Sequence, residues 1–333
     1  MSALFISLLI SNASAAPVYE LPADLYKPGE SLESKTTLTV LTANVGNADF
    51  FNCGKDYIYK LCLRSTEETV AAHIAALRPD VVTLQETYNE DLCADKPAEK
   101  NKKRVCWHWG EREPQYQARR LLGDDYTIVC DNRSYFECLG VRRDVGTIAG
   151  CEPGDLCRGT AMIAAPAPDV CDPHAAVFAV DAVVRGVDVR IVDAHPAASN
   201  RECRTQQLQG LFERYMGATP VALPDRNMLI MGDLNLDPFS ADYTDSAIDV
   251  WRAHVGDRKE YYYLNGPAEH DPPYSTNSGR AIDHVVSNFA KGRCITLGRA
   301  PGQPRLDGSV GDAFPEGTDH SPILCELDFG KGN

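Results

Sequence analysis

The sequence contains no Cys-x-x-Cys pair, although it has 12 cysteines in 333 residues. Structural zinc sites commonly use cysteines at that close spacing, so we do not expect a zinc centre. After the first ten residues, no stretch approaches the roughly 18 apolar residues that a membrane-spanning helix needs. We therefore expect no transmembrane segment and a soluble mature protein. Internal repeats and low-complexity linkers are also missing, which excludes a repeat architecture.

Positive charge is scarce in this chain. Lysine and arginine number 33 against 47 acidic residues, and the net charge is -14. Such a surface repels a polyanion unless cations or a local basic patch intervene. The best local patch is residues 100–104, between Cys93 and Cys106. Composition therefore permits nucleic acid as a partner but does not favour it.

Cysteine at this density is typical of proteins that fold in an oxidising compartment. Residues 1–10 are largely apolar, and Ala13-Ser14-Ala15 supplies the small residues of a signal-peptidase site, although no lysine or arginine precedes the apolar run. We predict a signal peptide at residues 1–16 and a secreted protein, extracellular or periplasmic. A proline-containing lead at residues 17–36 would follow.

The cysteine count is even, and several cysteines are close neighbours along the chain. Short spacings suggest bridges that close local loops, but the sequence by itself leaves the connectivity open. The candidate pairs are Cys53 with Cys62, Cys93 with Cys106, Cys130 with Cys138, Cys151 with Cys157, Cys171 with Cys203, and Cys294 with Cys325.

Branched apolar runs and amphipathic stretches alternate from residue 37 to residue 330, which predicts a single α/β domain. Its expected architecture is two mixed β-sheets packed face to face as a sandwich, with helices on the outer faces. Ser65 and Glu68 fit a capping box that would open the first helix. Residues 176–184 and 187–194 predict a hairpin that turns at Arg185-Gly186. Weak periodicity at about 87–158 indicates a cysteine-rich insertion.

Polar residues recur where the predicted strands end or begin. Asparagine or aspartate at such a point is by itself typical of an ordinary turn. Several together, with two histidines, indicate a site at one edge of a sheet. The candidates are Asn44, Glu86, His195, Asp233, Asn235, Asp283, Asp319 and His320.

Four short motifs carry a resemblance to a known family. They are Leu84-Gln85-Glu86, Gly232-Asp233-Leu234-Asn235, Ile282-Asp283 and Thr318-Asp319-His320-Ser321. Their order and spacing, together with Asn44 and His195, resemble the endonuclease/exonuclease/phosphatase superfamily, which has the deoxyribonuclease-like fold. The resemblance covers residues 38–328 and implies a metal-dependent phosphoric diester hydrolase that uses an activated water.

The resemblance also implies roles for the candidates. Glu86 would be the main metal ligand, with Asn44 and Asp319 completing a set of oxygen donors for Mg²⁺, or alternatively Mn²⁺ or Ca²⁺. Asp233 would orient or deprotonate the attacking water. His320, held by Asp283, would be the general base or a phosphate-stabilising cation. The same resemblance implies that Asn235 and His195 bind the substrate, with His195 protonating the leaving oxygen as the other option.

Members of this superfamily act on DNA, RNA, phosphoinositides or sphingomyelin, so the substrate stays open between nucleic acid and a phospholipid headgroup. Residues 195–198 and 274–278 resemble secreted neutral sphingomyelinases. Residues 261–263 are three tyrosines, which fit either an aromatic contact with a membrane surface or an ordinary strand. A secreted binding module without catalysis is the alternative from another class. Nothing in the sequence predicts the oligomeric state.

Overall fold

The computed structural model describes residues 37–46, 53, 57, 60–94, 102–114, 116–131, 133, 137–166, 171, 176–240, 245–265, 275–276, 279–298 and 318–329. The predicted signal peptide and the lead at residues 17–36 lie outside this part of the chain.

Strands form most of the regular structure of the described residues. They are β1 (Thr37–Asn44), β2 (Val81–Gln85), β3 (Tyr126–Asp131), β4 (Glu137–Arg142), β5 (Gly146–Ile148), β6 (Leu156–Arg158), β7 (Ile163–Ala164), β8 (Ala176–Val184), β9 (Val187–His195), β10 (Met228–Asp233), β11 (Tyr262–Tyr263), β12 (Asp283–Ser287), β13 (Lys291–Thr296) and β14 (Ile323–Asp328). The α-helices are α1 (Arg64–Leu77), α2 (Gln117–Leu122), α3 (Arg201–Phe212) and α4 (Ser246–His254). Two short 3-10 helices span Glu90–Cys93 and Trp109–Glu111.

The strands form two mixed sheets. The first has the order β13-β14-β1-β2-β4-β3-β6, and the second has the order β11-β12-β10-β9-β8-β5, with β7 also paired to β8. The pairs β1–β2, β3–β6 and β9–β10 are parallel, whereas the other pairings are antiparallel.

The main core lies between the two sheets. Val40 of the first sheet and Ile191 and Met231 of the second belong to one buried apolar cluster. Helices α3 and α4 cover the outer face of the second sheet, where Leu208 and Trp251 are buried. Helices α1 and α2 cover the outer face of the first. The predicted sandwich of two mixed sheets with outer helices is confirmed.

The start of α1 differs from the predicted capping box. The helix begins at Arg64, and its N-cap residue Leu63 makes no capping bond through its side chain. Glu67 is buried in the first turn and pairs with Arg112 and Arg120. The backbone N–H of Arg64 donates instead to the carbonyl of Lys103 at 2.9 Å, so a residue far along the chain satisfies a donor at the helix start. The four-residue pattern could not reveal this tertiary contact.

The expected insertion at about 87–158 is narrower than the sequence indicated. Strands β3, β4 and β6 belong to the first sheet and β5 belongs to the second. Of the described residues in this range, those from 87 to 116 precede α2 and the strands, and the later ones form α2, β3 to β6 and their short connections. Periodicity is weak here because β3 and β4 are buried along their whole length and so do not alternate.

The hairpin between β8 and β9 turns at Arg185 and Gly186, as predicted. Both residues have positive φ, 50° and 80° respectively, which suits the tight right-twisted turns that join two strands. The hairpin places His195 at the far end of β9 from this turn.

The three consecutive tyrosines do not form an exposed patch. Tyr261 is 1% exposed, the hydroxyl of Tyr262 donates to the carbonyl of Ala290 at 2.7 Å, and the hydroxyl of Tyr263 accepts a bond from the indole N–H of Trp251. The strand interpretation is therefore correct, and the residues do not support a membrane contact. No helix of the described chain is long and apolar enough to cross a bilayer.

All twelve cysteines are paired in the structure. The six disulfides join Cys53 to Cys62, Cys93 to Cys106, Cys130 to Cys138, Cys151 to Cys157, Cys171 to Cys203, and Cys294 to Cys325. These are the pairs that the spacing suggested. The first two pack with Tyr57, Tyr88 and Val105 in a separate apolar cluster beside the end of β2.

Candidate active site

The predicted site residues meet at one edge of the sandwich. Strands β1 and β2 run parallel, and so do β9 and β10, so each pair ends at the same edge of its sheet. Asp283 begins the antiparallel strand β12 and lies opposite Asp233 in register. His320 shortly precedes β14, which runs antiparallel to β1. The topology thus collects polar side chains from six different parts of the chain.

Two residues of this edge have left-handed backbone conformations. Glu86 has φ 59° and Asn235 has φ 52°. Such values are uncommon for residues other than glycine and are concentrated at functional sites. At both positions the chain turns sharply at the end of a buried strand, which keeps the side chain at the edge.

Asp233 faces an aspartate–histidine pair. The Nδ1 atom of His320 lies 2.8 Å from Oδ2 of Asp283, and its Nε2 atom lies 3.6 Å from Oδ2 of Asp233. Burial opposes protonation of His320, but the charges of Asp283 and Asp233 outweigh it and raise its pKa well above the usual value. His320 is therefore held in one orientation between two carboxylates that favour its protonated form.

His195 lies at the end of β9, the strand next to β10, and is close to the same Asp233 carboxylate. Its Nε2 atom lies 3.7 Å from Oδ2 of Asp233 and 3.8 Å from Oε1 of Glu86. Its Nδ1 atom is 2.9 Å from Oε1 of Glu137. Burial would lower the pKa of His195, but Glu137 and Asp233 reverse this and raise it. Asp233 thus lies between two imidazole rings.

Glu137 is a site residue that the sequence analysis missed. It is fully buried at the start of β4, and its other oxygen, Oε2, accepts the backbone N–H of Glu86 at 3.0 Å. The Nζ atom of Lys60, 3.6 Å from Oε1, is the third contact of this carboxylate. An acidic residue opening an apolar strand gives no local signal, so the sequence alone could not have found it.

The two predicted asparagines are tied into the site. The side-chain N–H of Asn44 donates to Oδ2 of Asp233 at 3.1 Å, and its carbonyl oxygen accepts the N–H of Gly46 at 3.0 Å. Asn235 donates its backbone N–H to Oδ1 of Asp233 and its side-chain N–H to the carbonyl of Pro196. Both therefore help to fix the orientation of the Asp233 carboxylate.

Carboxylates at this edge are crowded. Burial and the nearby charge of Asp283 raise the pKa of Asp233, against the opposing effect of the two histidines. Burial also raises the pKa of Glu86, and the charge of Asp319 adds to the effect. A bound cation would relieve both the desolvation and the mutual repulsion of Glu86 and Asp319.

The residues present fit a divalent metal. Glu86, Asp319 and Asn44 offer carboxylate and amide oxygens, the ligands that Mg²⁺ prefers in proteins. Asp233, Asp283 and His320 form a second buried group whose potential ligand atoms lie within 4.8 Å of one another. This edge therefore contains two groups of potential metal ligands.

All eight candidates thus lie at one edge. Of the other sequence features, Lys102 and Lys103 are exposed, whereas residues 100 and 101 of the basic patch lie outside the described residues. From the segment 274–278, only Ser275 and Thr276 are described; the hydroxyl of Ser275 accepts the backbone N–H of Asp283 at 3.1 Å.

The chain is similar to a known family in sequence and to solved structures in fold. The sequence profile of the Endonuclease/Exonuclease/phosphatase family matches residues 41–320. A humanized TDP2 from D. rerio with 14 mutations has a similar structure, with TM-score 0.56 and 13% identity over 88% of this chain and 99% of that chain. An endonuclease/exonuclease/phosphatase from Bacteroides vulgatus gives TM-score 0.54 and 12% identity over 88% and 99%. D. rerio TDP2 complexed with single-strand DNA product gives 0.50 and 14% over 88% and 99%.

No curated protein sequence matches the chain significantly. At such low identities the structural neighbours establish the fold, and the family profile establishes the relationship.

Proposed function

Because the chain belongs to the endonuclease/exonuclease/phosphatase family, we propose that it is a divalent-metal-dependent phosphodiester hydrolase that uses an activated water. One observation carries the proposal. The Asp233 carboxylate lies within 3.7 Å of the Nε2 atoms of both His320 and His195, beside the crowded carboxylates of Glu86 and Asp319. This combination provides a proton acceptor, two proton carriers and an anionic cation site within one small volume.

Each polar side chain of the site has a separate role in the proposed reaction. Asp233, with its raised pKa, is a stronger base than an ordinary aspartate and accepts the proton of the attacking water. His320, kept protonated by Asp283, holds a phosphoryl oxygen through Nε2. His195, oriented by Glu137, gives a proton to the leaving oxygen. Asn235 completes the contacts to the phosphoryl group.

Glu86, Asn44 and Asp319 would hold the metal. When bound, a divalent cation neutralises charge on the non-bridging phosphoryl oxygens and fixes the substrate for in-line attack. Mg²⁺ suits the oxygen donors best, and Mn²⁺ or Ca²⁺ are the alternatives.

For the substrate we propose nucleic acid before sphingomyelin. Lys102 and Lys103 are exposed. The next residue, Arg104, forms an antiparallel β-bridge with Leu63, and Leu61, two residues before Leu63, is hydrogen-bonded to Glu86. We therefore infer that the two lysines lie on the same side of the molecule as the catalytic edge, where a phosphate backbone would extend. A TDP2 of similar fold was crystallised with single-strand DNA product. Tyr261 is buried and Tyr262 and Tyr263 are only partly exposed, which removes one argument for a lipid surface.

We also propose that the protein acts after secretion, outside the cytosol. Six disulfides support this, because bridges at such density are rarely maintained in a reducing compartment. Fractionating cells that express the full-length chain, and sequencing the N-terminus of the exported form, tests it. Retention of an uncleaved chain in the cytosol would contradict it.

The function is tested by assaying purified protein on single-stranded DNA, RNA, plasmid DNA and sphingomyelin liposomes, with Mg²⁺ or with EDTA. His320→Ala is the blank, and Lys259→Ala, an exposed lysine in a turn distant along the chain, is the control that should keep activity. We expect Mg²⁺-dependent cleavage of nucleic acid and a loss of at least about 100-fold in the blank.

The outcomes separate the alternatives. Release of phosphocholine instead of nucleotide products would replace the nuclease proposal with sphingomyelin hydrolysis. Full activity in EDTA, or in Glu86→Ala, would refute the role of the metal. If none of the substrates is hydrolysed, a secreted binding module without catalysis would be favoured.

A further inference from the structure

A buried lysine at the catalytic edge has no part in the chemistry proposed above. Lys60 is 3% exposed, although lysine is almost never fully buried unless it is paired. Its Nζ atom lies 3.6 Å from Oε1 of Glu137. The lysine therefore pairs with the carboxylate of Glu137, which orients His195.

The contact is made at a particular oxygen. Oε1 of Glu137 is also the atom that lies 2.9 Å from Nδ1 of His195, while Oε2 accepts the backbone N–H of Glu86. Each oxygen of Glu137 thus contacts a different residue of the site, and Lys60 is close to the oxygen that also contacts the imidazole of His195. A shift of this carboxylate would move both the ring of His195 and the strained turn at Glu86.

The backbone around Lys60 is fixed to the same turn. Its own N–H donates to the carbonyl of Tyr57 at 2.8 Å, and the N–H of the next residue, Leu61, donates to the carbonyl of Glu86 at 2.9 Å. Cys62 follows and is bonded to Cys53. The disulfide and the two backbone bonds together hold the lysine at a set distance from Glu137.

We propose that Lys60 is a positioning residue of the active site, which anchors Glu137 and through it the ring of His195. The proposal rests on the hydrolase function only for its effect on rate, because its structural content concerns the Lys60–Glu137–His195 contacts themselves. A lysine that served only to balance nearby negative charge would not need to contact the same Glu137 oxygen as His195, nor to have its backbone hydrogen-bonded to Tyr57 and its neighbour's to Glu86. Both features are present here.

The variants are Lys60→Met, which keeps the aliphatic stem and removes the charge, and Lys60→Arg, which keeps the charge. Lys259→Met is the matched control, because that lysine is exposed. The first readout is the imidazole N–H signal of His195 in histidine-labelled protein without metal or substrate, assigned with His195→Gln. The second is the separate measurement of kcat and KM.

In wild-type protein we expect a slowly exchanging Nδ1–H signal for His195 and a protected ammonium signal for Lys60. Lys60→Met should broaden or shift the His195 signal and lower kcat about tenfold with a smaller change in KM, as is common for partners of catalytic groups. Lys60→Arg should restore most of both. Lys259→Met should change neither.

An unchanged His195 signal in a folded Lys60→Met protein would overturn the proposal, and so would rapid exchange of the Lys60 ammonium in the wild type. The latter measurement needs no variant, so it decides the matter even if Lys60→Met does not fold. A shifted signal in a protein that hydrolyses none of the substrates would support the positioning role and refute the proposed function separately.

Discussion

Arg204 offers a sharp test of how the loop after His195 is held. Its side chain is 2% exposed, and its guanidinium donates to the carboxylate of Asp245 and to the carbonyls of Ala197 and Ala198. Arg204→Met would leave a buried carboxylate and two carbonyls without this partner. Removing one side of a buried ion pair costs about 3 to 5 kcal/mol.

The free energy of unfolding is measured from urea titrations with the disulfides intact. Arg226→Met is the matched control, because Arg226 is 37% exposed and pairs with Asp181 on the surface; it should cost about 1 kcal/mol or less. In the double variant Arg204→Met/Asp245→Asn, both charges are gone, so its cost should be smaller than the sum of the single costs by about 1 kcal/mol or more.

The same change should affect activity, because only Pro196 separates Ala197 and Ala198 from His195 along the chain. We expect kcat of Arg204→Met to fall about tenfold or more, since small displacements of a catalytic group are costly. If Arg204→Met were no less stable than Arg226→Met, or if the single costs simply added, the buried pair would not be the support that the geometry indicates.

Three further changes address the strand packing, the proton carriers and the pH dependence. Gly232→Ala would put a Cβ 2.1 Å from the carbonyl oxygen of Ala194, so we expect lower stability in thermal unfolding and lower activity; a neutral result would contradict the close approach of β9 and β10. Asp283→Asn should lower the pKa of His320, move its limb of the kcat/KM pH profile to lower pH, and reduce kcat about 10- to 100-fold; an unmoved profile would exclude this pairing. Burial raises the pKa of Glu90 to about 7, so the folded state binds the proton more tightly than the unfolded chain, and stability should fall as the pH rises from about 4.5 through 7. Glu90→Gln should flatten that part of the stability curve, and an equal slope in both proteins would reject the assignment.

Much of the fold was predictable because burial leaves a periodic trace in the sequence. The strand that ends at Asp233 and the hairpin at Arg185-Gly186 follow from apolar runs and turn chemistry. The capping box predicted at Ser65 is wrong, because the helix begins at Arg64 and the N–H of Arg64 donates to the carbonyl of Lys103, far along the chain. The segment 126–158 was assigned to an insertion, although it supplies strands to both sheets. Strands β3 and β4 are buried along their whole length, so they do not alternate between apolar and polar residues.

The sequence by itself determined which polar residues lie where strands end or begin, from Asn44 to His320, since a motif is a local property that can be read along the chain. Only the tertiary structure decided that they converge, because that depends on which strands run parallel and which pair across the sheet. Glu137 and Lys60 belong to the second kind. Each is an ordinary residue in its own segment, and each takes part in the site only because folding puts it within a few ångströms of residues far away along the chain.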